Sequence, residues 1–156
     1  ILKDKGFSFE LNIVGNGEFF NEANNITESL SIQDLVHFKG AIYESEKVRE
    51  YYITSDIYIL PTHHEGFPRT LYEAMIFGTP IITTFVGGIP GLMENGVNCR
   101  EITPKSVDSI VEGLEFAINN YNEMAVYAIN ARDTVVKVVD SKRLTHAQHL
   151  NKLLKL

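Results

Sequence analysis

The sequence predicts an α/β fold, in which a parallel β-sheet is covered by helices on both of its faces. Short apolar segments alternate with segments of helical periodicity along the whole chain, which is the order that βαβ units require. Several of the short segments are apolar end to end, as strands are when both faces of a sheet are buried. Glycine and proline separate the segments and mark the turns between them.

Each expected strand is followed by a turn signal or by a helical segment. The predicted strands are Phe7–Val14, Leu35–Phe38 (ended by Gly40), Ile57–Leu60 (stopped by Pro61), Thr79–Phe85 and a short one at Arg100–Ile102. The predicted helices are Glu18–Ser31, Ser45–Ser55, Pro68 to Gly78, Pro90–Glu94, Pro104–Asn119, Glu123 to about Val139, and Ser141–Leu156. Ligands of parallel sheets bind at the carboxyl ends of the strands, which here are the turns at 15–17, 40, 63–68 and 87–90.

Helical spacing selects the side chains that are expected to face the core. Pro68 fits the first position of its helix, where a missing N–H costs nothing, and Gly78 is the expected end. The predicted inward residues are Phe19, Phe20, Ala23 and Ile26; Val48, Tyr51 and Tyr52; Phe67, Leu71, Ala74 and Met75; and Val107, Ile110, Val111 and Leu114.

Composition excludes several classes of protein. The chain has 156 residues, enough for a single domain, and a net charge of -6, which argues against a nucleic-acid partner. Cys99 is the only cysteine, so a disulfide framework and a cysteine-based zinc site are excluded within the chain. The same scarcity favours a reducing, cytoplasmic location, and no apolar run approaches the ~20 residues that a membrane span needs. Ile1–Gly6 resembles the last turn of a helix, and with no initiator methionine it indicates a piece of a longer protein.

The most informative stretch is Glu65–Met75, which lies between two predicted strands and reads as turn and helix. The helix N-terminus has free N–H groups and a positive dipole end, so it suits a phosphate. Glu65 precedes this helix and is able to accept hydrogen bonds from sugar hydroxyls, while Glu73 lies on the helix and is able to accept both hydroxyls of a ribose. The backbone amides expected at the phosphate are those of Gly66, Phe67, Arg69 and Thr70.

Plainer interpretations stay open for these two carboxylates. Glu65 would also complement the helix dipole as an ordinary N-terminal acidic residue. Glu73 would also form an exposed ion pair with Arg69 at i, i+4, although that order is the weaker one. The spacing alone has little specificity, because two other pairs repeat it, Glu10/Glu18 and Glu115/Glu123.

Other polar and aromatic groups near the predicted strand ends have competing interpretations. Adjacent side chains of an extended segment point to opposite sides, so joint metal ligation by His63 and His64 is disfavoured, and a polar contact of His64 with phosphate or acceptor is preferred. Gly87-Gly88 either approaches a bound ligand or makes a simple turn. The tyrosines are assigned to packing rather than to a stacking platform: Tyr43, Tyr51, Tyr52, Tyr58 and Tyr72.

Six motifs in order resemble the C-terminal domain of group 1 retaining glycosyltransferases of the GT-B fold, a Rossmann-like domain. The match covers nearly all of the chain up to about Pro104, and the ordered set is far more specific than any single motif. The motifs are Val14–Gly17, Val36–Gly40, Ser55–Thr62, Glu65–Met75, Gly78–Ile82 and Val86–Pro90.

The resemblance implies a site for a UDP-, GDP- or ADP-sugar donor, with no metal and no other cofactor. It implies that Glu65 contacts the hydroxyls of the transferred sugar, which makes it the catalytic candidate, and that Glu73 contacts the ribose. The diphosphate would lie on the amides after Glu65. The other donor-binding residues that follow from the matched motifs are Gly15, Phe38, Gly40, Gly87 and Gly88.

Three departures from the family pattern bear on activity. The first strand and helix, with the Arg and Lys that neutralise the diphosphate, would precede Ile1, and so would the N-terminal acceptor domain of the parent protein. Gly91 stands where the family usually has Glu. The isolated chain is therefore expected to be inactive. The expected acceptor of the full protein is an unspecified glycan or lipid-linked glycan, and peripheral membrane association of the full protein is possible. The alternatives are a nucleotide or nucleotide-sugar binding module without transfer and a structural or partner-docking domain with a degenerate site.

Overall fold

The computed structural model describes residues 1–66 and 68–153, with side chains up to residue 139. Strands and helices alternate in the order that the sequence predicts. The strands are β1 (Leu11–Val14), β2 (Val36–Gly40), β3 (Tyr58–Leu60), β4 (Ile81–Thr84) and β5 (Arg100–Ile102). The helices are α1 (Phe20–Ser29), α2 (Ser45–Thr54), α3 (Arg69–Phe77), α4 (Val107–Asn119) and α5 (Tyr121–Leu153), with a 3-10 turn at Ile89–Gly91. Contacts divide the chain into two compact units, Ile1–Glu50 and Tyr51–Leu156.

The first unit contains a two-stranded parallel sheet. β1 pairs with β2 from Leu11 opposite Val36 to Val14 opposite Gly40, with an irregularity between Ile13 and Val14. The predicted extension of β1 back to Phe7 is wrong, because the Phe7 N–H donates to the Leu2 carbonyl in a turn (3.1 Å). The backbone ahead of Leu11 is therefore outside the ladder.

The second unit contains a three-stranded parallel sheet in the order β3-β4-β5. All four residues of the central strand β4 are buried. Ile81 belongs to a cluster with residues of α3 and α5, whereas Ile82 belongs to a second cluster with residues of β5, α4 and α5. Because successive strand residues point to opposite faces, this sheet is covered on both sides, as predicted. Each fully buried Ile contributes ~1.5–3 kcal/mol.

α3 confirms the prediction for its inward face and its end. Leu71, Ala74 and Met75 are fully buried, while Phe67 lies outside the described residues. Gly78 ends the helix in the left-handed conformation (φ 72°), and its N–H and that of the next residue close the last turn.

The prediction of an inward orientation is wrong for several residues of other helices. Phe19 and Ile26 are 65% and 51% exposed, and α1 instead buries Thr27, whose hydroxyl donates to the Ala23 carbonyl (2.8 Å). Val107 is 64% exposed because it is the first residue of α4 and no earlier helical turn shields it. The other predicted inward residues of α4, Ile110, Val111 and Leu114, are half-buried.

The two predicted C-terminal helices form one continuous helix, α5, from Tyr121 to Leu153. The prediction of a break near residue 140 is wrong because Val139, Asp140 and Ser141 include neither glycine nor proline. The predicted helix Pro90–Glu94 is a single 3-10 turn at Ile89–Gly91. No described helix combines the length and the apolar composition that crossing a bilayer demands.

Candidate functional site

The stretch with the two glutamates folds as a strand, a turn and a helix. β3 ends at Leu60 and α3 begins at Arg69, one residue later than predicted, so Pro68 is the N-cap (φ -71°, ψ 106°). The reason is that ψ of Pro68 is extended rather than helical. Proline has no side-chain acceptor, so no side chain caps the N–H groups of Arg69 and Thr70, whereas the Leu71 N–H donates to the Pro68 carbonyl (3.1 Å). Arg69 and Thr70 are exposed at this end.

The loop after β4 lies directly against the loop after β3. A Cβ built on Gly87 would collide with the Glu65 carbonyl oxygen, and one on Gly88 would lie 2.5 Å from the Gly66 carbonyl oxygen. Gly87 also has a φ of 58°, which other residues rarely adopt. The structure therefore brings Glu65, Gly66, Gly87 and Gly88 together.

Two buried threonines of β4 connect this strand to the end of β3 and to the loop that follows β3. The Thr84 hydroxyl donates to the Thr62 carbonyl (2.7 Å), and the Thr83 hydroxyl donates to the Leu60 carbonyl (3.1 Å). Both threonines are almost fully buried, so these bonds form away from water. Sequence reasoning did not identify them, since threonine is also a common β-strand residue with no further role.

The Tyr52 hydroxyl, rather than Arg69, contacts the Glu73 side chain. The Tyr52 hydroxyl lies 3.0 Å from Glu73 Oε2 and 3.3 Å from the Thr70 carbonyl oxygen. The Tyr58 hydroxyl lies 2.7 Å from Thr70 Oγ1. No ion pair joins Arg69 and Glu73 among the described residues, so the plainer interpretation of Glu73 does not hold. Both tyrosines were predicted to be packing residues, and the hydrogen bonds of their hydroxyls were not predicted.

Both tyrosine hydroxyls stay protonated near neutral pH. Burial raises the pKa of Tyr58 to about 12, against the Thr70 hydrogen bond, and the negative charges of Glu65 and Glu73 add to the rise. Burial is also the main reason that the pKa of Tyr52 lies far above its usual range, with smaller contributions from Tyr58 and Glu73. Tyr58 thus lies within the field of both carboxylates.

The first unit carries the remaining predicted donor-binding residues at the carboxyl end of its strands. The Gly15 N–H donates to the Gly40 carbonyl (2.8 Å), so these two glycines are in contact. Phe38 is half-buried, and its ring meets the edge of Phe20 at 5.3 Å between centroids. Packing against Phe20 is thus a role of Phe38 that the sequence analysis did not anticipate.

Among the described residues, His63, His64 and Cys99 belong to no group that could hold a metal ion. His63 and His64 are both exposed, and the Thr62 hydroxyl donates to the His64 carbonyl (3.2 Å). Within the described ranges, no group of three or more His, Cys, Asp or Glu side chains is arranged to hold a metal ion. Cys99 is a free, fully buried thiol, whose pKa is raised to about 12 chiefly by burial and secondarily by Glu101.

This fold and this strand-turn-helix site define a Rossmann-like α/β protein. The chain matches the sequence profile described as "Glycosyl transferases group 1" over residues 1–134. It belongs to that family, and the resemblance noted from its motifs is confirmed.

Named relatives point to the same class. An uncharacterized glycosyltransferase of Haemophilus influenzae is 36% identical over 124 residues, which are 77% of this chain and 33% of that protein. The putative colanic acid biosynthesis glycosyltransferase WcaL of Escherichia coli is 31% identical over 141 residues, 86% of this chain and 34% of that protein. The chain thus spans about one third of the length of these relatives.

Solved structures share the fold at lower sequence identity. Anabaena Alr3699/HepE in complex with UDP superimposes with a TM-score of 0.78 at 22% identity, over 90% of this chain and 41% of that one. The C-terminal domain of LpcC, a glycosyl transferase group 1 family protein of Francisella tularensis, superimposes with a TM-score of 0.71 at 20% identity. That match covers 86% of this chain and 89% of that domain.

Proposed function

We propose that this chain is the donor-binding domain of a retaining hexosyltransferase, and that it binds a nucleotide-diphosphate sugar. The observation that carries the proposal is the uncapped N-terminus of α3 between two carboxylates, Glu65 before it and Glu73 on it. The complexes of the Anabaena neighbour with UDP and with UDP-glucose support a ligand of this class.

Each part of the ligand has a matching group in the proposed site. The diphosphate accepts from the backbone amides at the start of α3, where the helix dipole favours negative charge. Glu65 accepts hydrogen bonds from the transferred sugar, and Glu73 accepts them from the ribose. The supporting positions in the second unit are the amides of Gly66, Phe67, Arg69 and Thr70 and the close-packed Gly87 and Gly88.

The proposed chemistry relies on positioning and electrostatics. The bond between the anomeric carbon and the diphosphate oxygen breaks, and a bond from that carbon to an acceptor hydroxyl oxygen forms with retention of configuration. The leaving diphosphate gains negative charge as its bond breaks, and the fixed amides of α3 stabilise that charge. Glu65 orients the reacting sugar. No metal and no further cofactor are invoked.

The rest of the reaction is assigned to the parent protein. An N-terminal domain of the same protein supplies the acceptor site, and the isolated chain is inactive without it. The names of the WcaL protein and of the amylovoran biosynthesis glycosyltransferase AmsK of Erwinia amylovora support a glycan acceptor in polysaccharide assembly. We place the reaction in the cytoplasm, with the full protein peripheral to the membrane.

The first prediction is that a nucleotide binds and that Glu73→Ala weakens its binding. The measurement is a thermal-shift and NMR titration with UDP, GDP, ADP and their common sugar conjugates. We expect one nucleotide to bind saturably, and the substitution to cost on the order of tenfold in affinity, the effect of losing hydrogen bonds to a charged group. Glu112→Ala, which removes an exposed carboxylate from α4, is the matched control and should leave binding unchanged.

If no nucleotide in the titration binds the chain, there are two explanations: the site is defective, or binding needs the upstream segment of the parent protein. The same panel is therefore repeated on the full-length parent protein. Absence of binding there would refute the donor site. Binding without transfer to any acceptor would instead favour the non-catalytic binding module.

A further inference from the structure

Tyr52, a half-buried tyrosine near the end of α2, is held at three separate points. Its ring lies 5.7 Å from the Tyr58 ring and 5.6 Å from the Phe77 ring, between centroids. Its backbone carbonyl accepts a hydrogen bond from the Thr79 hydroxyl (2.7 Å). Ring and backbone are thus fixed independently of the phenol oxygen, so the position of the hydroxyl is determined before any ligand arrives.

The hydroxyl is directed at the first two turns of α3. It lies 3.0 Å from Glu73 Oε2 and 3.3 Å from the Thr70 carbonyl oxygen. A phenol has a single proton, so the shorter contact identifies the carboxylate as the preferred acceptor. The raised pKa of Tyr52 is consistent with this role, because the hydroxyl keeps its proton when Glu73 is charged.

We propose that Tyr52 is a positioning residue of the donor site, which orients the Glu73 carboxylate toward the ribose by holding its Oε2 atom. The proposal rests on the donor-binding function proposed above. A glutamate side chain has several rotamers, and a ligand that fixes one of them loses affinity through the lost entropy. A hydrogen bond to Oε2 fixes that rotamer in advance. It leaves Oε1 and the second lone pair of Oε2 free for the two ribose hydroxyls.

The same geometry excludes the competing use of Glu73. A pair with Arg69 would turn the carboxylate along the helix surface, but no such pair is formed in the described part of the chain. The Tyr58 hydroxyl also contacts α3, but its partner is Thr70 Oγ1 and not Glu73. Two neighbouring tyrosines therefore contact different residues at the same end of α3. A Tyr58 variant can serve as the comparison for a Tyr52 variant.

The second prediction tests this role through the ribose hydroxyls. Dissociation constants are measured for UDP, GDP and ADP and for the 2′,3′-dideoxy form of each. Tyr52→Phe removes only the hydroxyl and keeps the ring contacts. We expect it to weaken binding of the ribonucleotide about three- to tenfold, the size of the net contribution of one ordinary hydrogen bond. Binding of the dideoxy form should change less than about twofold, because it has no hydroxyl for Glu73 to accept.

Four further variants make the result specific. Glu73→Ala should abolish discrimination between the two ligands, and adding Tyr52→Phe to it should have no further effect, since the two residues act as one unit. Tyr58→Phe should weaken both ligands equally, because it contacts Thr70. Tyr121→Phe, on an exposed tyrosine at the start of α5, should change neither.

The outcomes separate this inference from the proposed function. If Glu73→Ala removes discrimination but Tyr52→Phe preserves it, or lowers both affinities equally, the positioning role is refuted while the donor site stands. If no ribonucleotide binds the unaltered chain or the full-length parent, the donor site is refuted, and the positioning role is refuted with it.

Discussion

At the scale of single residues, Glu65 owes its position to the backbone of the neighbouring loop. Gly87 lies so close to the Glu65 carbonyl oxygen that a side chain has no room there. Gly88 makes a similar approach to Gly66. The glycines in this turn are thus required by packing between two loops, whatever they contribute to a ligand.

The third prediction is that Gly87→Ala displaces the Glu65 loop. The new methyl group meets a backbone oxygen, which cannot rotate away, and the positive φ adds strain for any residue with a Cβ. We expect a loss of ~1–3 kcal/mol in the free energy of unfolding, measured in urea, together with weaker nucleotide binding. Gly91→Ala is the control, because a Cβ at that position meets nothing within 4 Å. Equal stability of the two variants would contradict the packing argument.

At the scale of elements, the ends of helices show most clearly how a few adjacent residues determine where a helix begins. α4 begins after Ser106, whose side-chain oxygen accepts from the Ser109 N–H (3.1 Å). The Ser109 hydroxyl in turn accepts from the Thr103 N–H (2.8 Å). Two serines therefore join the end of β5 to the start of α4.

The fourth prediction is that Ser106→Ala destabilises the protein by ~0.5–2 kcal/mol, the usual cost of losing an N-cap. The measurement is urea-induced unfolding followed by far-UV circular dichroism. Ser106→Asp retains a cap acceptor and places negative charge at the helix N-terminus, so it should be close to neutral. Equal destabilisation by both substitutions would show that the hydroxyl acts through a contact other than the cap.

At the scale of the whole molecule, buried protonated groups make stability depend on alkaline pH. Tyr58 and Cys99 each have a folded-state pKa of about 12, raised from 10.0 and 9.0 mainly by burial. On unfolding, both groups regain their ordinary pKa values, so the unfolded chain loses protons first as the pH rises. Their contribution is complete below about pH 9 and is lost progressively between about pH 9 and pH 12.

The fifth prediction is that the free energy of unfolding falls as the pH rises from 9 toward 12. Urea midpoints are compared at several pH values for the parent chain, for Tyr58→Phe and for Cys99→Ala. Each substitution removes one titrating group, so the decline should become shallower in each variant, even where the absolute stability is lower. A decline of unchanged steepness in both variants would contradict the assignment.

Much of the fold and the core of the candidate site were predictable from the sequence alone. The order of strands and helices, the parallel pairing, the buried face of α3 and its end at Gly78 all depend on short-range signals: hydrophobic periodicity, proline and glycine. The placement of Glu65 before a helix and Glu73 on it follows from the same signals. Such patterns act within a few residues, so they can be interpreted without the rest of the chain.

Only the tertiary structure decided which groups surround those glutamates. Tyr52 contacts Glu73 across 21 positions of sequence, and Gly87 approaches Glu65 across the helix α3 and the strand β4. Phe19 and Ile26 fit an inward stripe by periodicity but are exposed. Periodicity determines which residues share a face of a helix, whereas burial and hydrogen-bond partners depend on the segment packed against that face. That segment is distant in sequence, and only the folded chain identifies it.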